Sequence, residues 1–413
     1  MLQKVLFTDI TGLPFYEGGA KSRILGELSS LRESKYNISL LCYVEPFYLI
    51  KKFKKIVLFK NEMTNSNIKL YILPSLPLKR YLFIRKINEY YLGLFTSILV
   101  MKKKFCILHS QTSNASKIAT IVKKIVPKVK VVADIHGIEP EEYLLKKNKQ
   151  QKDEIYFHLE KTDTEIIKYA DWNIYSSRSM YRYYIDKYGI EHLNYSIIPC
   201  VVNAEYMKCS NLTKRMKKKE ELEINDKIIF CYSGTVAAYQ MIEETLQLFK
   251  QINNIIHNSY LLILTPDDNL MEESCKKKSL SKTTYKIINV RPVQLTEYLQ
   301  IADFGFLIRD KILVNKVSSP VKFGDYLMNG VPIIATNEIG DISNTIKEEK
   351  LGFILKELSV NSDLLEFIMS VTTNRAKYTL NCQNYIKEVY NWRKFSEVIV
   401  DTYNSVLTTP KKK

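Results

Sequence analysis

Short apolar runs alternate with amphipathic stretches along nearly the whole chain, and the alternation comes in two rounds. In the first round, runs rich in β-branched residues lie at Lys4–Asp9, Ile38–Val44, Ile68–Leu73, Phe105–His109, Val129–Asp134, Trp172–Ser176 and Ser196–Pro199. Runs of this kind, with little polar alternation, read as strands buried on both faces, as in a parallel sheet. Helical periodicity fills the gaps. Ile24, Leu25, Leu28 and Leu31 share one face, residues 76–101 form one or two helices with an aromatic and basic face, and helices follow at Ala115–Ile125, Glu154–Tyr169 and Ser179–Tyr188. Asn203–Glu221 is polar, basic and without apolar period, so it reads as a linker. The second round has strands at Lys227–Ser233, Tyr260–Thr265, Tyr285–Val290, Phe304–Ile308, Val331–Thr336 and Gly352–Leu355. Its helices lie at Ile242–Ile252, Thr296–Ile301, Val360–Thr372 and Arg375–Tyr390, and a last one, Trp392–Leu407, closes the pattern. Strand–helix alternation of this type predicts an α/β protein with parallel sheets. At 413 residues the chain is too long for one ordinary core, so two doubly wound Rossmann-like domains are expected. Their ligand is expected in a cleft faced by the carboxyl edges of both sheets.

One stretch, Ser318–Thr336, carries the densest local information. Ser319 suits a helix N-cap and Pro320 the first helical position. Gly330 suits the left-handed residue that stops a helix, and Val331–Thr336 then reads as a buried strand. A helix start with serine hydroxyls, backbone amides and Lys322 one turn in is suited to an anion. Two other places have related chemistry. Gly18-Gly19 follows the first strand, and Gly234 follows the strand that opens the second round. His136 stands just past the carboxyl end of Val129–Asp134, where ligands bind in open α/β sheets. Glu139, Glu141 and Glu142 behind it read as a solvated helix start.

Composition adds three points. The chain is 46% hydrophobic and 25% charged, as expected of a globular protein, and its longest dense apolar run, near Leu92–Met101, is too short to span a bilayer. The beginning of the sequence lacks the apolar core of a signal peptide, so the expected location is cytoplasmic. The seven cysteines are scattered without metal-ligand or redox spacing, which predicts free thiols. Net charge is +17, and the excess is uneven: residues 46–104 hold 13 Lys or Arg against two Glu, interleaved with Tyr and Phe. No nucleic-acid-binding motif accompanies this segment, so the expected partner is an anionic membrane surface rather than DNA or RNA.

Taken in order, these pieces resemble the retaining family-4 glycosyltransferases of the GT-B fold. The resemblance rests on Gly18-Gly19, Asp134-Ile135-His136-Gly137, Ala170-Asp171-Trp172, Ile197-Ile198-Pro199, Tyr232-Ser233-Gly234, Ile301-Ala302-Asp303, the string around Ser319-Pro320 and Lys322 through Ala335, and the final Trp392 helix. It implies an N-terminal acceptor-side domain over residues 1–203, rejoined by a C-terminal helix at 391–408. It further implies a nucleotide-sugar domain over 204–390, with a basic tail at 409–413. Transfer of a sugar from a nucleotide-diphosphate donor to a hydroxyl of a glycan or polyprenyl-linked acceptor is the implied reaction, with retention and without a metal or other cofactor. The implied pathway is bacterial surface polysaccharide synthesis at the inner face of the membrane. His136 is the implied sugar contact, Asp325 the ribose contact in place of the usual glutamate, and Gly18, Gly19, Gly234, Thr235, Arg291, Ser318 and Ser319 the further donor contacts.

The family often carries another glutamate where this chain has Val317, and an Arg and a Lys after the glycine that opens the second domain, where this chain has Thr235 to Met241. Positive charge for the diphosphate is therefore expected from Lys322 and Arg309, with Lys316, Lys21 and Arg23 as further candidates. The residues leave two alternatives open, a sugar-nucleotide epimerase or hydrolase of the same fold and a non-catalytic sugar-binding protein.

Overall fold

The computed structural model describes residues 3–15, 18–77, 81–147, 152–189, 194–203, 212–291 and 294–408. The expected tail at 409–413 and residues 204–211 of the expected linker lie outside this set. The chain divides into two compact units, Met1–Pro199 with Trp392–Lys413 and Cys200–Asn391.

Unit 1 is built on a seven-stranded parallel sheet. In chain order its strands are β1 (Gln3–Asp9), β2 (Tyr36–Val44), β3 (Lys69–Pro74), β4 (Ile107–Gln111), β5 (Lys130–Ile135), β6 (Trp172–Tyr175) and β7 (Tyr195–Ile197). Their order in space is β3-β2-β1-β4-β5-β6-β7, so the winding reverses between β1 and β4. Unit 2 holds β8 (Ile228–Ser233), β9 (Ser259–Leu264), β10 (Tyr285–Ile288), β11 (Phe304–Leu307), β12 (Ile333–Thr336) and β13 (Gly352–Leu355). All are parallel, in the order β10-β9-β8-β11-β12-β13, and here the reversal falls between β8 and β11. The middle strands are buried on both faces, which explains why their sequences read as unbroken apolar runs. At such a reversal the flanking connections leave to opposite faces and open a crevice at the carboxyl ends of the strands.

Two of the resembling motifs turn out to be structural. Asp171 accepts a hydrogen bond from the Val131 amide (2.8 Å) while its own amide donates to Val131 O (2.9 Å). Asp303 does the same with Ile229, at 2.9 and 2.7 Å. In each unit an Ala-Asp dipeptide therefore closes the start of a strand pair, and nearby cations neutralise it: Lys130 in one case, Arg215 and Arg375 in the other.

The expected linker needs correction. Leu212–Glu221 is a helix, held by ion pairing instead of an apolar stripe: Arg215 Nη2 lies 2.6 Å from Asp303 and its Nη1 donates to Gln300 O at 3.0 Å. A helix anchored in this way leaves no hydrophobic period to read. The helix start at Ser319 is also corrected. The helix runs Val321–Met328 with Pro320 at the cap, because the Ser319 hydroxyl instead accepts from the Cys200 amide at 2.9 Å. Its end is as expected, with Gly330 left-handed at φ 69°. Two helices in the basic segment, Pro46–Lys51 and Phe53–Asn65, have no counterpart in the sequence reading.

In unit 1, helix α1 (Gly19–Ser30) and the last helix (Trp392–Thr408) pack together through Gly26 and Trp392. A Cβ on Gly26 would lie 1.9 Å from Trp392 Nε1, so only glycine lets the indole lie on the helix. Gly26→Ala should therefore destabilise unit 1 by about 1–3 kcal/mol through overpacking. A denaturant titration followed by tryptophan fluorescence checks this, and an unchanged midpoint would refute the contact.

Candidate functional site

In unit 2, the carboxyl end of β8 runs into Gly234, at φ 137°. A Cβ there would lie 2.5 Å from Lys322 Nζ, so the glycine makes room for the lysine as well as for the turn. Lys322 comes from the second position of the Val321–Met328 helix. Its ammonium donates to Gln240 Oε1 at 2.6 Å and sits 4.3 Å over the Tyr232 ring. Burial, reinforced by the Arg309 charge, pushes the Lys322 amine well below its ordinary range.

Arg309 follows β11 and is 7% exposed. Its guanidinium lies 5.0 Å over the Tyr239 ring and donates from Nη1 to Asn315 Oδ1 at 3.2 Å, while Nε has no hydrogen-bond partner. Burial lowers its pKa too. Among the described residues neither cation has a carboxylate within salt-bridge distance, so both are supported only by neutral groups. Lys322 makes no salt bridge with Asp325, three residues on, and Arg309 none with the adjacent Asp310. Lys316, the other cation expected here, pairs at the surface with Glu338 at 2.7 Å.

Asp325 lies one turn beyond Lys322, half-buried, and its carboxylate makes no hydrogen bond among the described residues. Burial pushes its pKa up to about 7 against the pull of Lys322. A carboxylate in this state can accept from two neighbouring hydroxyls at once. Tyr326 holds the helix in place from below. Its hydroxyl receives the Ser233 amide (3.0 Å) and reaches Cys231 O and Phe306 O, filling the gap where β8 and β11 separate beyond the Gly305–Cys231 pair.

The remaining expected donor contacts of unit 2 are placed as follows. The Ser318 hydroxyl donates to Asn315 O, and the Ser319 hydroxyl accepts from the Cys200 amide, so each makes a hydrogen bond within unit 2. Thr235 is exposed after Gly234, its carbonyl bound by the Tyr232 hydroxyl (2.7 Å), and Asp267 secures the same loop through the Val236 amide (2.7 Å). Arg291 is exposed and donates to Gln294 at 3.0 Å.

In unit 1, Gly18 caps α1 at φ 142° with open space where a side chain would be, and Gly19 opens the helix. Lys21 lies in its first turn. Arg23, expected as a possible phosphate contact, is instead committed inside the unit. Its Nε and Nη2 lie 2.8 Å from the two Asp134 oxygens, and Nη1 donates to Ile198 O and Pro199 O at 2.7 and 3.1 Å. Burial alone would raise Asp134, but Arg23 and His136 outweigh it and hold the carboxyl well below the usual range. Glu27, one turn on from Arg23, is pushed well above its range by burial and by the Asp134 charge. Ligand atoms of Glu27, His109 and Asp134 lie within 4.8 Å of one another, a spacing that a metal could bridge, but here Arg23 supplies the positive charge.

His136, one residue beyond β5, meets Gln111 Oε1 at 2.8 Å and Asp134 Oδ2 at 3.4 Å through Nε2. The three glutamates after it are not a solvated helix start. Glu139 accepts from Asn114 at 2.7 Å, and burial with the Glu142 charge raises its pKa to about 7; Glu141 accepts from the Tyr156 hydroxyl. Gln111, Gln240 and Tyr239 were not singled out from the sequence, and Tyr232 entered only as part of the Tyr232-Ser233-Gly234 string. The only signal for them is position, since each lies at the end of a reversal strand or in the loop after it.

Residues 19–206 match the model of Glycosyltransferase Family 4, and residues 214–389 match that of Glycosyl transferases group 1. No protein of curated function matches the chain. Among solved structures, Anabaena HepE in complex with UDP and glucose is similar over 98% of this chain and 100% of its own, at 12% identity and a TM-score of 0.71. A glycosyltransferase from Rickettsia africae covers 99% of both chains at 13% identity and TM-score 0.73. WaaG, described as a glycosyltransferase involved in lipopolysaccharide biosynthesis, covers 96% of this chain and 99% of its own at 12% identity and TM-score 0.67.

The Asp325 carboxyl gives a pH signature. Unfolded aspartate titrates near ~3.9, whereas folded Asp325 titrates near about 7. Across that window the folded protein keeps a proton that the unfolded chain has lost, so this group's contribution to stability falls as pH rises. Asp325→Asn should melt higher than the wild type at about pH 8 and converge with it by about pH 4. Parallel melting temperatures at every pH would refute the raised pKa of the carboxyl.

Proposed function

Since the chain is a glycosyltransferase of the GT-B fold, we propose that it moves a hexosyl or related sugar from a nucleoside-diphosphate donor to an acceptor hydroxyl, with retention. The observation that carries the proposal is the pair Lys322 and Arg309, two desolvated cations that rest, among the described residues, on aromatic faces and amide oxygens without a salt bridge. A diphosphate is the anion that such a pair suits, and no metal is needed where two cations already supply the charge. Asp325 accepts the ribose hydroxyls, and Gly18, Gly19, Gly234, Thr235 and Arg291 remain proposed donor contacts. Structures of HepE with UDP and with UDP-glucose support a nucleotide sugar as the donor. In the reaction, the bond from the anomeric carbon to the phosphate oxygen breaks while the acceptor oxygen bonds to the same face. The leaving phosphate takes the hydroxyl proton. His136 contacts the sugar.

Lys322→Ala and Asp325→Ala should each lower transfer by about 10²-fold or more while leaving the melting transition cooperative. The assay screens UDP-, GDP-, ADP- and CMP-sugars with and without acceptor. Wild-type turnover from both variants would sink the assignment, and release of an epimerised sugar nucleotide would replace transfer with epimerisation.

The acceptor is proposed to be a glycan or lipid-linked sugar of bacterial surface polysaccharide synthesis, reached from an anionic bilayer. No described helix is long and apolar enough to cross a membrane. The helix Leu82–Lys103 does carry an exposed apolar stripe, Phe83, Ile87, Tyr90, Leu94 and Met101, and ends in Lys102 and Lys103. On the helices before it, Ile50 is 83% exposed, with Phe53 and Leu58 also exposed among Lys51, Lys54 and Lys55. Apolar side chains inserted at the headgroup level, with lysines worth about 1 kcal/mol each near anionic lipid, suit a peripheral contact. In vesicle flotation the protein should float with anionic and not with neutral vesicles, and Ile50→Asp with Phe83→Asp should abolish it. Equal recovery with both vesicle types would count against docking.

A further inference from the structure

Gln111 ends β4 at the reversal of the unit 1 sheet, fully buried, and its amide is engaged on three sides. Nε2 lies 2.7 Å from Glu27 Oε2 and 3.3 Å from His109 Nε2, and Oε1 lies 2.8 Å from His136 Nε2. An amide nitrogen only donates and an amide oxygen only accepts. With the nitrogen turned to a carboxyl oxygen and an imidazole nitrogen, the oxygen has to receive its proton from His136. Asp134 Oδ2, 3.4 Å from the same His136 nitrogen, demands the same, because the Arg23 guanidinium keeps that carboxylate ionised. Both neighbours thus require a proton on His136 Nε2. Nδ1 is buried without a hydrogen-bond partner. His109 completes the same assignment. Its Nε2 accepts from Gln111, so its Nδ1–H donates to the Tyr403 hydroxyl at 2.6 Å. The residue after Gln111 is held at some cost: Thr112 is β-branched yet left-handed at φ 72°.

We propose that Gln111, oriented by Glu27, is a positioning residue that locks the His136 ring proton on Nε2, so that Nδ1 accepts a hydrogen bond from a hydroxyl of the bound sugar. The second half of this statement rests on the reading of His136 as a sugar contact. The first half does not. A tautomer lock turns His136 from a group that could donate, accept or carry charge into one that recognises a hydroxyl donor alone. It also removes the reorganisation that a ring free to exchange its proton would need on binding.

The test is a long-range ¹H–¹⁵N correlation spectrum of protein labelled in its five histidines, with His136 assigned by the signals lost in His136→Asn. In the wild type, the Nε2 of His136 should show as the protonated ring nitrogen and Nδ1 as the unprotonated one. In Gln111→Met, which keeps the volume and removes the amide, the His136 signals should shift toward tautomer exchange. Turnover per bound donor in that variant should fall about tenfold or more, while UDP affinity, carried by unit 2, should stay within about twofold. A wild-type spectrum with the proton on Nδ1 would overturn the lock, and it needs no variant to fold. A Gln111→Met protein with the wild-type tautomer and turnover would overturn the role of Gln111. Full turnover from His136→Asn beside an intact Nε2–H signal would overturn the sugar contact alone and leave the lock standing.

Discussion

A pair of desolvated positive charges with no carboxylate at salt-bridge distance among the described residues is the constraint that the rest of unit 2 answers to. Burial lowers the proton affinity of both Lys322 and Arg309, and the Arg309 charge lowers that of Lys322 further. Unpaired buried charge is costly, so the supports that surround it are informative. They are two tyrosine faces and two amide oxygens, from Tyr232, Tyr239, Gln240 and Asn315. These groups offer quadrupoles and lone pairs but no net charge. A carboxylate in any of those places would relieve the strain and, by neutralising the pair, remove its attraction for an anion. The arrangement is stabilised enough to fold and remains short of negative charge.

Unit 1 shows the opposite solution with similar parts. Arg23 also stands early in a helix that begins at glycine, yet Asp134 takes it bidentately and two carbonyls occupy another of its nitrogens. Glu27, the second acid, is pushed toward its neutral form by burial and by Asp134, and burial lowers His109 to about 4, so it is neutral as well. The charge closes on itself. Position at a helix start is therefore a weak guide to ligand binding; the presence or absence of a local carboxylate decides between an anion site and a structural ion pair.

This contrast sets what could be read from the sequence. The strands were legible because a parallel sheet covered on both faces demands apolar runs. The 212–221 helix was not, because Arg215 holds it to Asp303 without an apolar face. The helices at 46–65 were hidden for the converse reason: Ile50, Phe53 and Leu58 are exposed, so their spacing marks no core. Lys322, Asp325, Arg309 and His136 stand next to recognisable punctuation, a glycine turn or a strand end. Gln111, Gln240 and Tyr239 carry no such mark. Neutral polar residues gain a role only from what the reversal of the strand order brings beside them. Arg23 was legible as a cation, but its neutralisation was not, since Asp134 is distant in sequence and adjacent only through the β4–β5 pairing.

The missing Arg and Lys after Gly234 can be understood from the same geometry. The space a side chain would occupy at Gly234 is already filled by the Lys322 ammonium, which arrives from the Val321–Met328 helix. The charge that a loop residue would bring to the end of β8 is thus brought by a helix residue, and Arg309 adds a second from β11. A helix places its charge more rigidly than a loop, because the backbone that carries it is hydrogen-bonded and packed on Tyr326 beneath the sheet. The loop is relieved of that task and is held by other means, through Asp267 to the Val236 amide and the Tyr232 hydroxyl to Thr235 O. Tyr232 therefore has two functions at once, its ring under the lysine and its hydroxyl on the loop. A substitution there would disturb the cation and the turn together, which places Tyr232, read from the sequence only as part of a strand-end string, at the centre of the unit 2 site.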